Sequence, residues 1–184
     1  MSRTLAKAIL YVDGYNVIGI WPLLQQKLNG GSMEEARRFL IEAMINYSAY
    51  EGVDARIVFD AHYQNTPSVS ETVSRTLSVH YTGFGQTADT YIEKACATLV
   101  HKLRLSRRRL IVATSDRAQQ LTVMGYGAEW MSAPQLAAAI EASSNRCRQR
   151  QQSRKRTSTA SRFLVSSLDP ESQQRLAQLR RGYR

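Results

Sequence analysis

Three short apolar runs in this chain lead into an aspartate, two of them directly and the third after Thr114 and Ser115: "AILYVD" (8–13), "ARIVFD" (55–60) and "RLIVATSD" (109–116). Runs of this length and β-branched content read as buried strands, and stretches of helical period lie between them. That alternation points to an α/β fold on a parallel sheet. In such a sheet the carboxyl ends of the strands share one edge, which is where doubly wound folds bind ligands. The aspartates are therefore expected to meet.

The intervening segments fit the same architecture. "SMEEARRFLIEAMINYSAYEG" predicts a helix, with Ser32 and Glu35 as a capping box, an apolar stripe through Phe39, Leu40, Ala43, Met44 and Tyr47, and Gly52 as its stop. "LSVHYT" (77–82) reads as a third strand, more polar and so nearer an edge. "TADTYIEKACATLVHKL" (87–103) is a long helix capped by Thr87, with Asp89 in its first turn. "DRAQQLTVMGYG" reads as a short helix, "AEWM" (128–131) as a small fifth strand, and the chain from Ser132 as a helix that grows basic along its length.

Asp13, Asp60, Asp89 and Asp116 brought to one edge would repel one another unless protons or a cation neutralise them. Oxygen donors without a histidine or cysteine cluster select a hard ion, Mg²⁺ or Mn²⁺. Such an ion activates water for in-line attack on a phosphodiester. Asn16, in "DGYN", adds an amide that can hold Asp13, a water or a phosphate without adding charge. Taken singly, each residue has a plainer role: Asp13 and Asn16 suit a tight turn, and Asp89 and Asp116 suit helix N-termini. Four such coincidences at one edge favour a site.

"VDGYNVIGIWP", "IVFDAH", "QTADTYIEK" and "VATSD", in this order and spacing, resemble the NYN branch of PIN-like nucleases, and most closely the YacP-like ribosome-associated endoribonucleases of bacteria. The resemblance implies a three-layer α/β/α sandwich with a parallel sheet and a basic helical C-terminal extension. It also implies metal-dependent endoribonuclease activity on mRNA in the ribosomal A site, with 5′-phosphate and 3′-hydroxyl products. Asp13, Asn16, Asp89 and Asp116 fall on the family's acidic-site positions, with Asp60 ranked below them as a support. Asp13, Asp89 and Asp116 are the expected ligands of Mg²⁺ or Mn²⁺. Glu93, one helical turn after Asp89, is a further ligand or the partner of a basic neighbour.

Charge points the same way. The net charge is +10, and residues 141–184 carry eleven basic side chains against three acidic ones, leaving the first 140 residues almost balanced. Residues 146–162 hold seven basic residues and no acid. A merely solvated helix face usually mixes signs, so Arg146, Arg148, Arg150, Arg154, Lys155 and Arg156 are expected to contact RNA or the ribosome. "RRR" at 107–109 either adds a phosphate contact or only flanks a strand. The expected division is a nuclease domain over 1–145 and a basic helical extension over 146–184, the latter ending in one last short helix from about Ser167.

Two cysteines at wide separation fit neither a disulfide scaffold nor a zinc site, and no stretch approaches membrane-spanning length. A cytoplasmic protein without a membrane partner is expected. His62 is expected in a loop, His80 in a strand, His101 on a helix face, and Trp21 in the core or stacked on a base. Two rivals to the nuclease are a non-catalytic RNA- or ribosome-binding module, and a PIN-like nuclease acting on other RNA or DNA structures.

Overall fold

A computed structural model of the chain describes residues 6–60 and 67–166, except for the side chains of Arg104 and residues 153–166. The chain divides into two compact units, Met1–Ser144 and Asn145–Arg184.

In the first unit, β1 (Ala8–Asp13) leads directly into helix α1 (Gly14–Ile20), then α2 (Pro22–Gly30) and α3 (Met33–Glu51). Strands β2 (Asp54–Phe59), β3 (Val69–Thr72) and β4 (Leu77–Tyr81) precede α4 (Ala88–Leu105). The chain continues through β5 (Arg109–Ala113), α5 (Arg117–Gly125), β6 (Glu129–Met131) and α6 (Ala133–Ser166), whose first turns belong to the first unit and whose remainder belongs to the second.

The sheet order is β3-β4-β2-β1-β5-β6. Every neighbouring pair is parallel except β3–β4, which is antiparallel. The sheet is thus mixed and not wholly parallel, and β4 lies second from one edge, in keeping with its polar sequence. From β1 the chain moves outward one way to β2 and β4, then returns to place β5 on the other side of β1. That reversal makes the β1/β5 crevice a topological switch point, where ligands bind in open α/β sheets.

Side-chain alternation builds the layers. Ala8, Leu10 and Val12 of β1 pack with α1, α2, α3 and the first turns of α6, around Val17, Leu24, Leu40, Met44 and Leu136. Ile9 and Tyr11 face the opposite layer of α4 and α5, around Ile92, Cys96, Val100 and Val123. All six residues of β1 are buried, as a strand covered on both faces requires. Burial of each Ile, Leu or Val side chain of this strand stabilises the fold by about 1.5–3 kcal/mol before entropy is counted.

The helix ends follow local rules. Ser32 Oγ accepts from the Glu35 N–H at 3.3 Å, and Gly52 closes α3 with a left-handed φ of 68°. At the start of α6, Ser132 and Gln135 cap reciprocally: the Gln135 N–H donates to Ser132 Oγ at 3.2 Å and the Ser132 N–H to Gln135 Oε1 at 2.8 Å. "DGYNVIGI" is a helix start, not a free turn, because Asp13 caps it and Val17 and Ile18 bury against the sheet. Trp21 is core, 3% exposed and edge-on to Phe39 at 6.3 Å, so it is no base-stacking platform.

Candidate active site

Asp13, Asp60, Asp89 and Asp116 all reach the carboxyl edge, each by a different route. Asp13 ends β1 and accepts the Asn16 N–H on Oδ1 at 3.1 Å, which starts α1. Asp60 follows β2 and accepts the Ala88 N–H on Oδ1, so it holds the first residue of α4. Thr87 Oγ1 takes the Thr90 N–H at 3.2 Å, which leaves Asp89 in the first turn with its carboxylate uncommitted to the cap. Asp116 accepts the Ala118 and Gln119 N–H groups at 2.7 and 3.0 Å and caps α5.

Asn16 ties the two sides of the switch point together. Its Oδ1 accepts the Ser115 N–H at 2.7 Å, joining α1 to the loop after β5. Ser115 Oγ in turn accepts the Ala133 N–H at 3.0 Å at the start of α6, and Thr114 Oγ1 accepts the Asp116 N–H at 3.1 Å. Each residue of "TSD" therefore has a positioning role. With one lone pair of its carbonyl oxygen taken by Ser115, Asn16 is fixed in orientation and presents its amide N–H₂ as donor to a ligand.

The electrostatics show that the carboxylates share one field. Asp13 is 9% exposed, and its pKa is pushed up to about 7. Burial is the main cause, opposed by the Asn16 N–H and reinforced by the negative charges of Asp89, Asp60 and Asp116. Asp89 is also raised, first by burial, then by Asp116, Asp60 and Glu93, with a hydrogen bond to Asp13 acting against them. Glu93 therefore adds to the negative field.

Among the described residues, no group of three or more His, Cys, Asp or Glu side chains is placed to hold a metal ion. The donor set nonetheless fits a hydrated hard cation, which keeps several waters and takes only one or two carboxylates directly. Its donors are all oxygens, and two of its carboxyls are raised by burial and mutual repulsion that a cation would relieve.

Sequence reasoning missed the wall of this edge. Gly14 lies so close to the Phe59 ring that a Cβ there would overlap it. Phe59 stacks on Tyr81 at 5.6 Å and tilts against Tyr15 at 5.1 Å, while Arg37 Nη1 donates to the Tyr15 hydroxyl at 3.2 Å and Arg37 pairs with Glu34. No local signal marks Arg37, which reads as an ordinary polar position of α3.

The other expected residues divide. Arg108 donates to the Ala6 carbonyl at 2.9 Å and faces Asp54 at 3.9 Å, and Arg109 pairs with Glu129, so two of the three arginines at 107–109 flank their strand and serve the fold. Arg146, Arg148 and Arg150 lie exposed on α6 in the second unit. The backbone at Arg154, Lys155 and Arg156 is helical, and their side chains lie outside the described residues, as do His62 and the expected last helix. Cys96 and Cys147 are free, and burial raises the Cys96 thiol to about 11. Among the described residues no helix is long and apolar enough to cross a membrane.

Comparison with known proteins converges on one family. Residues 10–181 match the model of the YacP-like NYN domain. The chain is 39% identical over 142 residues to the uncharacterized protein YacP of Bacillus subtilis strain 168, covering 77% of this chain and 80% of that relative. Among solved structures, the Bacillus subtilis Rae1 (YacP) crystal structure superposes with a TM-score of 0.66 at 34% identity, over 95% of each chain. A W164L mutant of the same protein gives 0.67 at 32% identity, over 94% of this chain and 99% of that one.

Proposed function

The chain belongs to the YacP-like NYN domain family, and from that premise we propose that it is a metal-dependent endoribonuclease that cuts single-stranded RNA, with mRNA in the ribosomal A site as its substrate and the cytoplasm as its setting. The observation that carries the reading is the buried Asp13 carboxyl at the switch point, raised to about 7 in the field of Asp89, Asp60 and Asp116. In a fold with a nuclease-type architecture, carboxyls that burial and mutual repulsion push towards the protonated form are ones that a cation in the crevice would hold ionised.

Asp13, Asp89 and Asp116 are the side chains that would hold Mg²⁺ or Mn²⁺, one or two of them directly and the rest through its waters. When bound, the ion supplies Lewis acidity that activates water and stabilises charge developing on the phosphate. Asp60 acts on Asp89 by fixing the start of α4. Asn16, anchored through its carbonyl, offers its amide N–H₂ to a phosphate oxygen or water. The exposed Arg146, Arg148 and Arg150, with Arg154, Lys155 and Arg156 beyond them, supply affinity for RNA or the ribosome through phosphate contacts.

The deciding experiment is cleavage of a labelled mRNA, free and in a translating system, by wild type and Asp89→Asn, with Mg²⁺ or Mn²⁺ and with chelator. Metal-dependent cutting by wild type alone, on translating ribosomes, supports the full reading. Cutting of free RNA as well removes the ribosome from it. The exposed arginines of the second unit would bind RNA without help from the acidic edge, which favours one second reading, a non-catalytic RNA- or ribosome-binding module. Absence of cutting in every setting, with RNA or ribosome binding intact, would select that module.

A further inference from the structure

The sheet face under α4 is not evenly covered. On β1 and β5 it is apolar, with Ile9, Tyr11, Leu110 and Val112 buried beneath α4 and α5. Past Val58 the same face turns polar, at Asp54 and Arg56 of β2 and across β4 and β3, and a trough of about 340 Å³ opens there beside Tyr91 of α4. Strand register explains its floor. Thr72 pairs with Ser78, Ser78 with Arg56 and Arg56 with Tyr11, so one row of the sheet runs from hydroxyls through a guanidinium into the core. The next row towards the carboxyl edge pairs Ser70 with His80 and His80 with Val58.

Two arginines give this trough its sign. Arg56 is held in place by Tyr11: its Nη1 donates to the phenol oxygen at 2.8 Å and its guanidinium lies 5.4 Å from the ring centroid. Among the described residues neither Arg56 nor the exposed Arg75 forms an ion pair. Among the described residues one carboxylate lines the trough, Asp54, and it faces Arg108 at 3.9 Å. At the upper end His80 stacks against Tyr91 at 4.0 Å, and neither of its ring nitrogens has a partner among the described residues.

A cationic, hydroxyl-rich trough with an aromatic wall suits phosphate and sugar, not an apolar ligand. Its position suits a strand that also reaches the acidic edge. Tyr91 lies two residues beyond Asp89 on α4, and Arg56 lies four residues before Asp60, about 13 Å at the usual strand rise. We infer that this trough, through Arg56, Arg75 and the hydroxyls of Thr72 and Ser78, holds the phosphodiester backbone of single-stranded RNA on the body of the protein, in addition to the Arg-rich helix. The inference rests on the ribonuclease reading and adds a second RNA contact to it.

The test is equilibrium binding of a fluorescent single-stranded RNA to the full-length protein in chelator, across a salt series, for wild type, Arg75→Gln, Arg56→Gln and the control Arg38→Gln on α3. Each trough variant is expected to weaken binding and to reduce the slope of log K against log salt by about 0.7, the contribution of one single-strand phosphate contact, while the control leaves it unchanged. Arg56→Gln also removes the Tyr11 contact, so Arg75→Gln, whose side chain is exposed, reports without disturbing the core. Unchanged slopes in both trough variants overturn the inference. Saturable binding of inorganic phosphate that these variants abolish, with RNA slopes unchanged, also overturns it and makes the trough a free-anion site. Cleavage is scored separately with wild type and Asp89→Asn: cutting that persists beside unchanged slopes sinks the trough and spares the nuclease, whereas RNA neither bound nor cut sinks both.

Discussion

The Asn16 side-chain carbonyl accepts the Ser115 backbone N–H at 2.7 Å, closing a bond between residues 99 apart in the chain. It adds a side-chain link between the start of α1 and the loop after β5 to the backbone pairing of the two strands that flank the switch point. Asn16→Ala leaves that N–H without its partner and should cost about 1–3 kcal/mol of stability, measured by denaturant unfolding, together with most of the cleavage activity. Asn16→Asp keeps an acceptor but adds a negative charge beside the four aspartates, so it should recover more stability in Mg²⁺ than in chelator. Equal recovery in both would show that the residue feels no bound cation.

Asp13 gives stability a defined pH dependence. Its folded pKa of about 7 stands above the unfolded value of 3.8, so between those limits the folded state binds more protons and stability falls as pH rises. The loss is complete above about 7 and absent below about 4. In chelator, the melting temperature of wild type should drop across that window more than that of Asp13→Asn, which does not titrate. Mg²⁺ or Mn²⁺ should raise the wild-type melting temperature more at about pH 8 than at about pH 5, since the cation competes with protons for the same carboxylates. A metal shift independent of pH would place the ion elsewhere.

Gly14 is required by the Phe59 ring, which occupies the space a Cβ would fill. Gly14→Ala should destabilise by about 1–3 kcal/mol through overpacking. Because Gly14 sits between Asp13 and Asn16, activity should fall further than the stability loss explains. Cleavage at a temperature well below the variant's melting point separates the two effects.

Neutralising Arg146, Arg148, Arg150, Arg154 and Arg156 together should weaken association with RNA or ribosomes and flatten its salt dependence, by about 0.7 in slope for each single-strand phosphate that is no longer neutralised. The catalytic rate at saturating RNA should change little. An unchanged slope would show that the helix is not an anchor.

The alternation of apolar runs with helical stretches, and an acid at or just after three strand ends, are local signals. They were sufficient to define the α/β class, the ends of α3 and the set Asp13, Asp60, Asp89 and Asp116, because caps and hydrophobic period act over a few residues. Nothing local separates a tight turn at "DGYN" from a helix start. Burial of Val17 and Ile18 against the sheet decides that. Strand β3 has four exposed residues and forms only because β4 offers it an edge. The same holds for charge: Arg108 and Arg109 are engaged by Asp54 and Glu129, partners that only strand pairing brings near. Asp13 acquires its raised pKa from burial and from three carboxylates contributed by other parts of the chain. The sequence alone thus determined where β1, β2 and β5 end and where α3 begins and stops. Long-range pairing, with the order β4-β2-β1-β5, decided that the four aspartates lie at one edge within one another's field, since the proximity of distant residues depends on register and crossover and not on any property of the residues themselves.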